Sequence, residues 1–92
     1  MGQKNLKVVL ELRDDLEEKE REEVIAYIEK WKNKFRIEKI DDVTYCRKGD
    51  NKNYGDDFGD VTFFFHQMGD VKQYFKKLEL IKIQSGKKYV TV

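Results

Sequence analysis

Ninety-two residues, 40% of them charged and 39% hydrophobic, make one domain spanning 1–92 and leave no room for a second core. Aromatic residues reach 13% and fall in periodic runs, which excludes a disordered chain. The net charge of +1 excludes a global field that would draw the chain to nucleic acid or to an acidic partner, although residues 17–23 are acidic and residues 72–88 are rich in lysine.

Leu6, Val8, Leu10 and Leu12 alternate with Lys7, Val9, Glu11 and Arg13, the period of a strand with one buried face. Asp14 and Asp15 each precede a glutamate by three residues (Glu17, Glu18), as in a capping box opening a helix that runs to about Phe35. Val24, Ile28, Trp31 and Phe35, joined by Ile25, form its apolar stripe, and Lys30, Lys32 and Lys34 complement its C-terminal end. Residues 37–47 are β-rich but out of phase, which predicts a break near Asp41-Asp42. Residues 48–60 hold three Gly, four Asp and two Asn and read as a long loop.

Val61 to His66 reads as the most apolar strand, with Val61, Phe63 and Phe65 inward and Phe64 outward near Val9. Gly69-Asp70 should open a second helix striped by Val71, Tyr74, Phe75 and Leu78, with Lys72, Lys76 and Lys77 on its wet face. Residues 80–84 fit either helix or strand, and β-branched Ile81 and Ile83 favour a strand. Ser85-Gly86-Lys87 then turns into a terminal strand, Tyr89 to Val92. The order β-α-β-β-α-β with an added C-terminal strand predicts an α+β, ferredoxin-like split βαβ sandwich, both helices on one face of an antiparallel sheet.

Tyr54-Gly55-Asp56-Asp57-Phe58 is similar to the Gly-Asp-Asp turn of polymerase palm domains and to the hairpin of diguanylate cyclases. That resemblance implies a metal-dependent nucleotide enzyme, with Asp14 as a further carboxylate beside Asp56 and Asp57. It covers five residues of a chain too short for a palm's nucleotide platform, and Asp with Gly is also what turns are made of. Counted from Asp50, the third and fifth positions are Lys52 and Tyr54, so the segment is no EF-hand; Asp56, Asp57 and Asp60 could still gather a casual cation. Cys46 and His66, the one thiol and the one imidazole, could face each other as nucleophile and base on neighbouring strands, but nothing nearby lowers the thiol's pKa. The aromatic strand also invites comparison with the RNA-recognition fold, whose central strand stacks bases. Its Lys/Arg-Gly-aromatic signature is absent, because Phe58-Gly59-Asp60 precedes the run.

The expectation is therefore a non-enzymatic binding module with no cofactor and no metal, acting through a protein partner. Val9, Phe64 and His66 on an open sheet face, and Tyr89, Val90 and Thr91 on an edge strand, are the candidate contacts. The edge could also pair with a second copy to give a homodimer. RNA is the alternative partner, held by Lys30, Lys34, Lys72, Lys76 and Lys77 on a shared helical face. The lone cysteine fits a reducing, cytoplasmic setting, and no apolar stretch approaches the ~18 residues of a membrane span. Abundant Lys with no Pro resembles the composition of small phage proteins, which suggests an inhibitor of a host factor.

Overall fold

The computed structural model describes residues 5–48 and 58–92 in full and the backbone of residues 54–57. The chain is α+β, with two helices and a five-stranded antiparallel sheet in the order β2-β3-β1-β4-β5. The strands are β1 (Leu6–Leu12), β2 (Ile37–Lys39), β3 (Thr44–Arg47), β4 (Phe75–Lys82) and β5 (Lys88–Val90). The helices are α1 (Glu18–Lys34) and α2 (Tyr54–Gly69), and a single 3-10 turn at Lys72–Tyr74 leads into β4.

β1 and α1 follow the sequence pattern. Alternation places Leu6, Val8 and Leu10 in the core, and the centre of the sheet falls on β1. Helix α1 is capped at Glu17, later than Asp14-Asp15. The Glu17 side chain accepts the Glu20 backbone N–H, and the Glu20 side chain accepts the Glu17 backbone N–H at 3.1 Å. The glutamates also face the positive end of the helix dipole. Arg36 then reverses the chain in the left-handed region, at φ 55°.

The break expected near Asp41-Asp42 divides residues 37–47 into the β2–β3 hairpin. Asp41 Oδ1 accepts the backbone N–H groups of Val43 (2.9 Å) and Thr44 (2.8 Å), a side-chain bridge that closes the turn.

Two predicted elements are overturned. Residues 61–66 are helix, the C-terminal part of α2, and residues 54–60 of the expected loop are its first turns; 49–53 lie outside the described residues. Val61, Phe64, Phe65 and Met68 are the buried positions, spaced as one helical face, and Phe63 is 58% exposed. The predicted helix at 70–78 is instead the 3-10 turn and the first half of β4. Leu78 and Leu80 lie opposite Leu10 and Val8 on β1, so both strands present paired leucine and valine side chains to one core. A register shift between Glu11 and Leu12 inserts Lys76 as an extra residue between Phe75 and Lys77. Because one predicted strand became two and a predicted strand and helix exchanged types, the element order survives with different residues in it.

A single cluster joins Leu6, Val8 and Leu10 of β1 to Val24 and Ile28 of α1 and to Val61, Phe64, Phe65 and Met68 of α2. Val9, Cys46 and Glu79 are also buried, but on the opposite pleat and outside that cluster. No helix among the described residues is long and apolar enough to cross a membrane.

Candidate partner-binding site

The end of the sheet at β5 carries the clearest unoccupied surface. Helix α2 turns Val61, Phe64 and Met68 into the core, so Phe58, Thr62, Phe65 and His66 fall on the adjoining face, at the i, i+4, i+7, i+8 spacing. They meet Leu6, Leu80, Lys82 and Tyr89 across an apolar groove of about 280 Å³. Lys82 Nζ lies 5.6 Å from the centre of the Phe58 ring, and Lys87 Nζ lies 5.6 Å from that of Tyr89. Thr62 Oγ1 is buried with no hydrogen-bond partner among the described residues. The groove thus offers an apolar floor, one unused hydroxyl and a lysine rim.

Beside it runs β5, paired on one side with β4 and at the edge of the sheet. The turn that sets it uses Gly86 at φ 72°, with the Gly86 N–H donating to Lys82 O at 2.8 Å. Lys82 N–H donates to Lys87 O (2.8 Å) and Thr91 N–H to Leu78 O (3.0 Å), so odd-numbered residues of this strand turn their backbone groups towards β4. The N–H and C=O groups of Lys88 and Val90 consequently point outward. Tyr89 and Val90 are 44% and 58% exposed.

A second cleft, of about 430 Å³, lies between α1 and the other half of the sheet. Lys76 lies on its wall, bonded to Asp14 at 3.0 Å with Glu11 at 3.7 Å, and these carboxylates hold its ammonium above the ordinary lysine range, Asp14 foremost. Tyr45 lines the same cleft, and burial, with Glu29 adding to it, pushes its phenol up. Nearby, Arg13 clasps Asp15 at 2.6 Å and lowers its carboxyl pKa.

The remaining predicted residues are scattered. Asp14 lies in the turn after β1, whereas Asp56 and Asp57 belong to the first turn of α2, which lies by the opposite end of that strand, where Phe58 covers Lys82 across from Leu6. The backbone of Asp14 thus lies at the other end of β1 from that of Asp56 and Asp57. Asp60 is tied to Arg47 at 2.9 Å, and no group of three or more metal-ligating side chains occurs among the described residues. Cys46 faces the pleat opposite the core on β3, and His66 rides on α2 beside the groove, so the sheet separates thiol from imidazole.

Phe64, expected on an open sheet face beside Val9, is fully buried with its ring 5.7 Å from that of Tyr45. Val9 is buried between Thr44 and Glu79 on the other pleat. Lys72, Lys76 and Lys77 share no helical stripe, because the first lies in the 3-10 turn and the other two on β4. Lys30 and Lys34 do share a face, at 5.2 and 5.3 Å from the Trp31 ring. His66, Tyr89 and Val90 are thus brought together at the groove and edge, with Thr91 continuing the ladder. Phe58, Thr62 and Lys82 are groove residues that strand-by-strand reading missed. A helical template extended from Phe58 to Met68 would have found the first two.

Comparison with known proteins gives no match to a family model, a curated protein or a solved structure.

Proposed function

We propose that the protein is a non-enzymatic binding module that takes an extended segment of a protein partner alongside β5. The fold is the ferredoxin-like split βαβ sandwich extended by one strand. Support for that topology is the order β2-β3-β1-β4, in which β1 separates the two strands flanking α2 and β3 separates those flanking α1. The sharing of one core by both helices and the even-numbered face of β1 supports placing the helices together.

The outward backbone groups of Lys88 and Val90, next to an apolar groove, carry the functional reading. A strand added there gains main-chain hydrogen bonds, and every second side chain of it points to the groove side, where one apolar residue seats against Phe65 and Tyr89. Lys82 on the groove and Lys87 against the Tyr89 ring favour acidic neighbours on that segment. A second copy brings the same lysines to the contact, so self-pairing is disfavoured relative to a heterologous partner. The separation of Cys46 from His66 by the sheet supports a role without catalysis. The lysine-rich, proline-free composition supports the narrower reading of a phage-type inhibitor of a host factor.

Val90→Pro tests it. Proline removes an outward N–H while leaving the ladder to β4 intact, and its fixed φ suits an edge strand. Pull-downs from nuclease-treated lysate of the native host should yield a stoichiometric protein with the wild type and lose it with Val90→Pro. A stoichiometric partner retained by Val90→Pro, or none in the wild-type catch, contradicts the reading.

A further inference from the structure

Half of the side chains that line the groove beside β5 carry rings: Phe58, Phe65 and the His66 imidazole from α2, and Tyr89 from β5. The Phe65 and His66 rings lie 6.0 Å apart and are inclined at 58°. Such a lining favours an aromatic guest, because ring pairs prefer tilted and edge-on contacts at about 4.5–7 Å. Lys82 and Lys87 lie near the Phe58 and Tyr89 rings, and no carboxylate lines the groove among the described residues, so a cationic guest meets like charge. At about 280 Å³ the groove falls just below the roughly 300–1,000 Å³ of small-molecule pockets and suits one large side chain.

One polar group of this lining is shut off from water. The Thr62 hydroxyl oxygen is buried and forms no hydrogen bond among the described residues. A threonine inside a helix commonly returns its hydroxyl to the carbonyl one turn earlier, which Thr62 does not do. Helical threonine has two accessible χ1 rotamers, so this hydroxyl can turn to an occupant of the groove. A buried hydroxyl left without a bond is costly. A phenol both donates and accepts and so satisfies it in either sense, whereas an indole only donates and a phenylalanine ring does neither.

We propose that the groove is a tyrosine pocket: the segment added beside β5 seats one tyrosine there, its ring among Phe58, Phe65 and Tyr89 and its hydroxyl on Thr62 Oγ1. The source of the tyrosine rests on strand addition at β5, and its chemistry rests on the groove alone. Pairing with β5 fixes the backbone of the segment, and the alternation of its side chains delivers one of them to the groove.

The test uses the whole protein and two side-chain analogues, p-cresol for tyrosine and toluene for phenylalanine. Each is titrated separately and read from the backbone amide shifts of Thr62, Phe65, Leu80 and Tyr89. Toluene is the more apolar, so a groove indifferent to the hydroxyl takes toluene more tightly. The wild type should instead bind p-cresol, at a roughly millimolar Kd for so few atoms, and prefer it roughly threefold or more over toluene. Thr62→Val keeps the shape, removes the hydroxyl and should reverse that order, while its amide spectrum verifies the fold. Absence of p-cresol shifts at these residues, a wild-type preference for toluene, or a preference for p-cresol that persists in Thr62→Val overturns the tyrosine pocket. Neither analogue carries a peptide backbone, so failure here with capture still sensitive to Val90→Pro removes the tyrosine and spares strand addition. The reverse pattern removes strand addition, and with it the segment as the source of the tyrosine.

Discussion

Three consecutive phenylalanines give the sharpest test of the architecture, because helix and strand assign them opposite fates. On α2, Phe64 is completely buried against Tyr45, Phe65 is nearly so, and Phe63 is more than half exposed. Truncating a buried Phe to Ala costs about 3–5 kcal/mol. A 92-residue domain has a total stability of about 5–14 kcal/mol, at about 0.05–0.15 kcal/mol per residue. Phe64→Ala therefore removes a large part of the total and lowers Tm by about 12 °C or more, at about 4 °C or more per kcal/mol. Phe65→Ala follows close behind. Phe63→Ala loses the stack with Phe35, about 0.5–1.5 kcal/mol, and recovers part of that through alanine's better helix propensity. Urea denaturation of the three variants, with m-values checked for constancy, measures the order directly. An alternating strand would bury Phe63 and Phe65 and expose Phe64. Finding Phe63→Ala as costly as Phe64→Ala would refute the helix and the groove built on it.

Gly86→Ala meets no atom within 4 Å, so its cost is that of the left-handed backbone alone, about 1–2 kcal/mol, readable as a shift in urea midpoint. Asp60→Asn weakens the half-buried bond to Arg47 and should cost about 1–2 kcal/mol in the same assay, against no change if that pair is ornamental. The Asp41 carboxyl is held below its ordinary range, chiefly by the backbone N–H of Val43, with Thr44 assisting. Its unfolded state therefore takes up the proton first. Asp41 stabilises fully above about pH 4, and that contribution disappears as pH falls through the depressed folded value. Stability measured from neutral to acid pH should decline less steeply in Asp41→Ala, and parallel curves would dissociate Asp41 from the hairpin.

The parts of the fold that were legible in the sequence are those where only one periodicity fits. Leu6 to Leu12 alternate without ambiguity, Val24 and Ile28 keep helical spacing across a charged helix, and Gly86 marks a turn that needs positive φ. Val61 to Phe65 failed because a short apolar run satisfies both templates. Phe58, which extends only the helical one, stands among residues read as loop, and Met68 falls between the two predicted elements. Val71, Tyr74, Phe75 and Leu78 satisfied a helical template and still became turn and strand, because Leu78 and Leu80 gain more by lying opposite Leu10 and Val8. The edge position of Tyr89-Val90 followed from chain order alone. The groove did not, since it needs Phe58 and Thr62 brought over Leu80 and Tyr89, a contact no local pattern encodes.

Strand addition at β5 makes its most direct claim on individual backbone amides. In the free protein, Lys88 and Val90 should exchange their amide hydrogens quickly, while Tyr89 and Thr91, turned towards β4, are protected. Exchange measured residue by residue on the complex with the captured partner should show new protection at Lys88 and Val90 and little change at Tyr89 and Thr91. Protection that appears elsewhere and leaves Lys88 and Val90 exchanging as in the free protein would contradict the account.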